Sequence, residues 1–372
     1  MIIGVFGDGQ LGQMMALAGI PLGHRFRFLG SDQHGPASSV GQWFDVNDAA
    51  SRAAFLHGCD VLSTETENVP EHILKEFAAS GIPFRPDAKA VSHSQDRLIE
   101  KSLFRSLGIP TPKFLAIQSE HDLELAADSM GLPLVIKTTR LGYDGKGQKW
   151  LRDKNDVKEV WALLGNAAPL IAEQAIPFAR ELSVVAVRST SGDKRCYPLA
   201  ENHHAHGILR VSVAPAPRLR PETEKAAFDY ATRLLTHLDY VGVMALELFE
   251  MADGSLLANE MAPRVHNSGH WSQLGAEVSQ FENHVRAITG MALGNTQASR
   301  PTAMVNVIGK HHDLAALAGQ SGLQIHRYGK TEREARKLGH INLYAENYQD
   351  LNARVQALTP WLPDEPVRLT EE

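Results

Sequence analysis

The chain opens on an apolar run, residues 2–6, whose length and flanks predict a buried strand. Gly7-Asp8-Gly9-Gln10-Leu11-Gly12 follows and leads into a helical stretch over residues 13–19. A second strand is predicted at 25–29, ahead of Ser31-Asp32, and a third at 60–63. Pro70-Glu71 opens a helix, with proline near its first turn. Strands alternating with helices predict a parallel sheet with right-handed crossovers, and this first unit closes near residue 93.

The pattern then changes. Residues 95–107 read as an amphipathic helix stopped by Gly108-Ile-Pro-Thr-Pro, and 119–130 as a second helix capped by Ser119. The strand Leu132-Pro-Leu-Val-Ile-Lys-Thr ends at Lys137, and a glycine-rich turn over 142–147 returns into a strand at 148–151. Strand, glycine-rich turn, strand differs from the strand–turn–helix of a Walker loop. A helix at 155–164 and a strand at 170–174 follow. Two-residue alternation predicts strands at 181–188, 195–201 and 208–214. Pro221 starts a long helix over 222–238. Residues 241–251 and 255–261 predict a hairpin across Ala252-Asp253-Gly254, and 279–289 a helix ending at Gly290. After a linker at 293–301 come strands at 303–309, 324–328 and 339–345 and a helix at 348–361. No internal repeat or low-complexity tract interrupts the chain.

With 372 residues, 43% of them hydrophobic and 22% charged, the chain fits two or three ordinary globular domains. A formal net charge of -6 argues against a general nucleic-acid binder, which needs a basic face. Cys59 and Cys196 lie far apart in apolar or strand-like contexts and read as free buried thiols. The N-terminus lacks the features of a signal peptide, and no apolar run reaches the roughly 18 residues of a membrane span. The expected compartment is the cytoplasm, with no membrane or nucleic-acid partner.

Several groups carry candidate chemistry. Gly7-x-Gly9-x-x-Gly12 with Asp32 matches the dinucleotide-binding fingerprint. The same backbone N–H groups would serve another phosphate, or the glycines could serve packing alone. Nothing later in the chain supplies a hydride-transfer site. Glu247 and Glu260 sit among apolar residues on strands predicted to pair, where facing carboxylates would repel without a cation between them. Asn259 adds a neutral oxygen, and oxygen ligands suit Mg2+. Glu250 shares register with neither and is expected to face solvent. Lys137, ending an apolar strand, calls for an anion partner, and the turn from Gly142 to Gly147 can offer N–H groups to a phosphate. Glu173-Gln174-Ala175-Ile176 ends a strand whose backbone could read an adenine edge, with Glu181 near for ribose hydroxyls; structural ion pairing is the alternative. Arg264, His266 and His270 fall in a Pro/Asn/Ser/Gly-containing loop that suits an anion better than a metal. His203-His204-x-His206 reads as surface or nucleotide-contact histidines in preference to a metal site. Lys330, Arg333, Arg336 and Lys337 form a basic cluster able to clamp a phosphate, unless it is a solvated face.

Two segments carry a resemblance: Gly142-Tyr-Asp-Gly-Lys-Gly-Gln148 and Asn259-Glu-Met-Ala-Pro-Arg-Val-His-Asn-Ser-Gly-His-Trp271. Gln10-Leu-Gly12, Gln95-Asp-Arg97, Pro198-Leu, Gly207-Ile-Leu-Arg210 and Arg336-Lys-x-Gly-His-Ile-Asn342 agree in order. Together they resemble the ATP-grasp superfamily and, more narrowly, the N5-carboxyaminoimidazole ribonucleotide synthetase family, over nearly the whole chain.

The resemblance implies an α/β fold, α+β overall, of ATP-grasp architecture. A Rossmann-like domain would span 1–93, a two-lobed ATP-grasp domain 94–295 with its flap at about 110–175, and a small α/β domain 296–372. It implies that Arg97, Lys137, Gly142, Tyr143, Asp144, Gly145, Lys146, Gly147, Gln148, Glu173, Gln174, Ala175, Ile176, Glu181, His204, Asn259 and Glu260 hold ATP. Glu247 and Glu260 would hold Mg2+. Arg264, His266 and Asn267 would lie beside bicarbonate and the carboxyphosphate made from it, with Lys137 and Asp144 also catalytic. Gln10, Leu11, Glu65, Glu67, Tyr143, Lys146, Lys330 and Arg336 would bind aminoimidazole ribonucleotide. Either Asp144 or His266 could take the amine proton. A homodimer is implied as well.

Three residues depart from the family pattern: Asp8 where glycine is common, Lys146 where arginine is common, and His206 where aspartate is frequent. The rival readings are another ATP-grasp ligase, such as a formate-dependent glycinamide ribonucleotide transformylase, a nicotinamide oxidoreductase, and a non-catalytic nucleotide sensor.

Overall fold

The computed structural model describes residues 1–142 and 147–361. Three sheets organise them. The first is parallel, with strands Gln42–Asp45, Arg25–Gly30, Ile2–Phe6 and Val61–Thr64 side by side in that order. Ile2–Phe6 is nearly all apolar because it is covered on both faces. Ile3 and Val5 pack with Met14, Met15 and Phe28, while Phe6 packs with Phe55, Leu62 and Phe77. The strand Gln42–Asp45 and the helix Ala49–Leu56 are additions to the elements legible in the hydrophobic pattern.

The helix expected over 95–107 runs Arg97–Ser106, preceded by a separate helix, Ala88–Ser94. Asp96 sets its start: the carboxylate accepts from the N–H groups of Leu98 and Ile99, at 3.0 and 3.4 Å. A four-stranded antiparallel sheet follows, in the order Phe114–Ile117, Leu170–Gln174, Leu134–Thr138, Gln148–Leu151.

The third sheet has nine strands. Its path runs Leu256–Ala262, Gly242–Glu250, Arg180–Arg188, Ala200–Ala205, Ile208–Ala214, Thr302–Ile308, Lys337–Tyr344, Leu323–Arg327, and Lys194–Cys196 pairs with Arg180–Arg188 off that path. It therefore continues without a break from the carboxylate hairpin into the C-terminal strands. The single strand expected at 195–201 is two pieces, Lys194–Cys196 and Ala200–Ala205. Between them Pro198 has no N–H to give the ladder, and the Tyr197 hydroxyl donates to the Val278 carbonyl at 2.9 Å. Helix Gln280–Thr289 begins at the cap Ser279 and ends on Gly290, which takes the left-handed conformation at φ 80°. The last helix is shorter than expected, Tyr348–Gln356, with a single turn at Thr359–Trp361.

Cys59 and Cys196 are both free; Cys59 is buried and Cys196 half-buried. Among the described residues no helix is long and apolar enough to cross a membrane.

Candidate active site

Glu247 and Glu260 are direct partners across the hairpin of Gly242–Glu250 and Leu256–Ala262, and the register slips just after Glu247. Both line a cavity of about 720 Å3. Removal from solvent and the charge of Glu260 push Glu247 up to about 7. Glu260 goes the other way despite its own desolvation, because the Arg97 guanidinium donates to it at 2.7 Å. Asn259 also lines the cavity, and its buried Oδ1 has no hydrogen-bond partner among the described residues. Two facing carboxylates and one unsatisfied neutral oxygen fit Mg2+, which takes one or two carboxylates and completes its shell with substrate oxygens. Glu250 does not face solvent: it is buried, and Arg180 pairs with it and, at 2.8 Å, with Glu201. A charge that local alternation assigns to the surface is held inside by a cation seventy residues away.

Lys137 stands next to last in its strand and lines the same cavity, and its ammonium donates to Glu173 Oε2 at 2.8 Å. Burial alone would raise Glu173, but Lys137 and Lys101 bring it down to about 2. The helix Arg97–Ser106 contributes three ionisable groups at positions i, i+3 and i+4. Besides Glu260, Arg97 reaches the Gly142 carbonyl at 3.4 Å. Glu100 accepts from the Met261 N–H at 2.7 Å and is pushed up to about 8 by burial and by Glu260. Lys101 donates to the Asn259 carbonyl at 3.0 Å. Of these three the sequence reading singled out Arg97 alone. The signal for the others was their spacing on one face of an amphipathic helix. Tyr143, Asp144, Gly145 and Lys146 lie outside the described residues. Gly142 and Gln148 line the cavity, and Gly147 adopts φ 72° beside Thr138.

Glu173, Gln174, Ala175 and Ile176 line one end of the cavity together with Phe178 and Phe249, whose rings stack at 4.7 Å. Glu181 and His204 pair there at 3.1 Å; Glu181 holds His204 above its ordinary value against the effect of burial. His203 instead pairs with Glu201, and no cluster of three His, Cys, Asp or Glu side chains suited to a metal occurs among the described residues. His206 stands at φ 52° in the turn to Gly207, a left-handed position that aspartate or asparagine also tolerates.

The loop after the hairpin is fastened from several sides. Arg264 donates to Glu67 at 2.6 Å, and this holds Glu67 below its usual range although burial opposes it. His266 is pushed down to about 3 by burial and by Arg264, so its ring is neutral. A chain of buried groups assigns its tautomer. Ser212 donates to Asn202 at 2.7 Å, Asn202 to Ser183 at 2.9 Å, and Ser183 to Ser268 at 2.8 Å. Ser268 then donates to His266 Nδ1 at 2.9 Å. That leaves the proton on Nε2, 3.2 Å from Glu247 Oε1. Asn267 forms a reciprocal amide pair with Asn306, at 2.7 and 3.1 Å, so a C-terminal strand orients it. The His270 ring packs on His340 and meets Gln280 at 3.0 Å; it is a buried bracing group. Ser183, Asn202 and Asn306 escaped the sequence reading because their partners are distant in the chain, as did the link from Ser268 to Ser183.

At the far end of the cavity the glycine turn already holds a carboxyl group of the protein. Glu65 accepts from the N–H groups of Gly9 and, at 2.6 Å, of Gly12. Burial nevertheless raises Glu65. Asp8 turns away from the cavity and accepts from the Asp32 N–H at 2.7 Å. With an internal carboxylate on the turn and Asp8 bound to Asp32, the dinucleotide fingerprint is taken up by the protein itself, and the nicotinamide reading falls. Gln10 and Leu11 line the cavity, and Lys330 donates to Gln10. Burial and the neighbouring Arg336 lower Lys330 to about 8. Arg336 itself donates to the Thr331 hydroxyl at 2.8 Å, one shell back, whereas Lys337 reaches the cavity.

The family model for an ATP-grasp domain matches residues 102–281, a stretch containing both the antiparallel sheet and the carboxylate hairpin. The protein is an ATP-dependent ligase of the ATP-grasp class, with a mixed α/β fold. A ribonucleotide synthetase preATP-grasp domain matches 1–95, and a phosphoribosylaminoimidazole carboxylase C-terminal domain matches 302–354. The N5-carboxyaminoimidazole ribonucleotide synthase of Pseudomonas aeruginosa is 46% identical over 357 residues, 95% of this chain and 98% of that one. The crystal structure of the Thermus thermophilus synthetase superposes with a TM-score of 0.93 at 43% identity, covering 98% of this chain and 100% of the other. The Aspergillus clavatus synthase, solved with ADP and 5-aminoimidazole ribonucleotide, gives a TM-score of 0.88 at 26% identity over 97% and 98% of the two chains. The chain belongs to the N5-carboxyaminoimidazole ribonucleotide synthase family.

Proposed function

We propose that the protein carboxylates 5-aminoimidazole ribonucleotide to N5-carboxyaminoimidazole ribonucleotide in de novo purine synthesis, using ATP and bicarbonate and releasing ADP and phosphate by way of carboxyphosphate. The observation that carries this reading is the single cavity in which Glu247, Glu260 and Lys137 converge and which continues to Gln10 and Glu65. The alternative acceptor, formate with glycinamide ribonucleotide, is disfavoured by the family membership.

Phosphoryl transfer asks a protein chiefly for positioning and charge neutralisation. Glu247 and Glu260, with Asn259 beside them, would hold Mg2+, whose charge neutralises the oxygens of the transferring phosphoryl group. Lys137 from the antiparallel sheet and Arg97 from the helix Arg97–Ser106 would steady the phosphates, and the lid that the resemblance implies at 142–148, whose residues 143–146 lie outside the described ones, would exclude water. Phe178, Phe249 and the 173–176 segment would take the adenine, and Glu181 with His204 the ribose. Arg264 and Asn267 would hold bicarbonate and carboxyphosphate. Glu65, Glu67, Gln10, Lys330 and Arg336, with Tyr143 and Lys146, would hold the aminoimidazole ribonucleotide. Asp144 or His266 would take the amine proton, and His266 Nδ1 already accepts from Ser268 while Nε2 faces Glu247. The division into 1–93, 94–295 and 296–372 and a cytoplasmic homodimer accompany this reading.

The test is ADP release with each substrate withheld in turn. ADP should form only when bicarbonate and the aminoimidazole ribonucleotide are both present, with one phosphate per ADP. Rapid ATP hydrolysis without the ribonucleotide would remove the lid, and turnover with formate in place of bicarbonate would remove the carboxylase assignment.

A further inference from the structure

Lys101 is wholly buried and stands behind the wall of the cavity. Its ammonium donates to the Asn259 carbonyl at 3.0 Å and lies 3.3 Å from Glu173 Oε1. The other oxygen of Glu173 accepts from Lys137 at 2.8 Å. Glu173 thus sits between two lysines, one facing the cavity and one approaching from the rear. The three elements involved are distinct: Lys101 comes from the helix Arg97–Ser106, Glu173 from the antiparallel sheet, and Asn259 from the strand that carries Glu260. One ammonium therefore ties two sheets together at the point where they enclose the cavity.

A buried carboxylate left with a single cation holds that cation strongly. Without Lys101, Lys137 would be the one ammonium on Glu173, with Arg97 acting only at longer range, and would be drawn toward the carboxylate and away from a phosphate. We propose that Lys101 is a positioning residue: it neutralises Glu173 from behind, so that Lys137 is free to turn to the phosphates of a bound nucleotide. This rests on the nucleotide reading of the cavity given above.

Calorimetric titration with ADP and Mg2+ separates the two ideas. Wild-type protein that fails to bind ADP would remove the nucleotide site itself. Given wild-type binding, Lys101→Met should weaken ADP by about tenfold or more, because Glu173 then captures Lys137. Adding Glu173→Gln removes the captor, and K101M/E173Q should bind ADP within about threefold of E173Q alone. In turnover, KM for ATP should rise in K101M while KM for the ribonucleotide stays put, a split that general loosening of the fold would not produce. ADP binding by K101M equal to wild type, or losses that simply multiply in the double variant, would overturn the proposal. Should K101M fail to fold, E173Q against K101M/E173Q carries the comparison alone: parity supports the pairing, and a loss of about tenfold or more overturns it.

Discussion

Burial, and then the second carboxylate at the facing position, push Glu247 up to about 7, whereas Glu260 has an arginine to hold it ionised. A divalent cation must displace the Glu247 proton. Below about pH 7 the affinity for Mg2+ with ADP should therefore fall, approaching tenfold per unit. Titrations at about pH 6 and about pH 8 measure it, together with the proton released. Equal affinities at the two values would show that Glu247 is not a ligand. Behind it, the serine–asparagine chain fixes which nitrogen of His266 bears hydrogen. Ser268→Ala deletes the hydroxyl donor to Nδ1, leaves only the Ser268 backbone N–H at 3.4 Å on that nitrogen, and so loosens the hold on the tautomer. We expect kcat to drop roughly ten- to a hundredfold, as for outer-shell groups that orient metal ligands, with KM for ATP little changed. Steady-state rates over a range of ATP concentrations decide this, and an unchanged kcat would leave the chain a purely structural feature.

At the scale of elements, the turn between Ala200–Ala205 and Ile208–Ala214 bends through two left-handed residues, His206 and Gly207. Such two-residue hairpins favour residues that accept positive φ. His206→Gly should stabilise the protein by on the order of 1 kcal/mol, read from urea unfolding, because it removes a left-handed side-chain penalty. A destabilised variant would mean that the imidazole has a partner worth more than the strain. At the start of the Arg97–Ser106 helix, Asp96→Ala should cost about 1 kcal/mol by the same measurement. It should also raise KM for ATP, since Arg97 sits on the first turn that Asp96 fastens. The same elements show what the chain discloses before folding. The hairpin pairing Glu247 with Glu260 follows from alternation and a short turn, both local. The Gln280–Thr289 helix follows from its serine cap and terminal glycine. The roles of Glu250 and Lys101 do not follow, because Arg180, Glu173 and Asn259 reach them from other parts of the chain. In a sequence each reads as a charge for solvent. The glycine turn misleads for the same reason: that Glu65 would occupy it depends on the neighbouring strand, not on the glycines.

Across the whole molecule, burial of titratable groups makes stability depend on pH in two opposing ways. His266, His284 and His326 are lowered to about 3, about 4 and about 4, and His24, His270 and His340 are lowered too, so the folded protein keeps them neutral. The unfolded chain protonates them below about 6.5, so stability falls as pH drops below that value. Glu247 and Glu100 are raised to about 7 and about 8, and Glu65 is raised as well. These keep protons that the unfolded chain has already released above about 4.3, so their contribution falls as pH rises through about 8. His204, raised by Glu181, acts in the same sense. Between about 4.3 and about 6.5 the more numerous histidines win; between about 6.5 and about 8 the carboxylates and His204 set the slope, and above about 8 Lys330, lowered to about 8, acts against Cys59 and Cys196, raised to about 11. Ligand-free protein should therefore be most stable near about pH 6.5 and weaken on both sides, as urea unfolding at constant ionic strength can record. Saturating ADP and Mg2+ should flatten the slope between about pH 6.5 and about pH 7, because the bound state holds Glu247 ionised, and should steepen the acid limb by about one proton, because affinity falls as Glu247 is protonated. An alkaline limb insensitive to nucleotide would assign that slope to Glu100 and Glu65 and detach Glu247 from the metal.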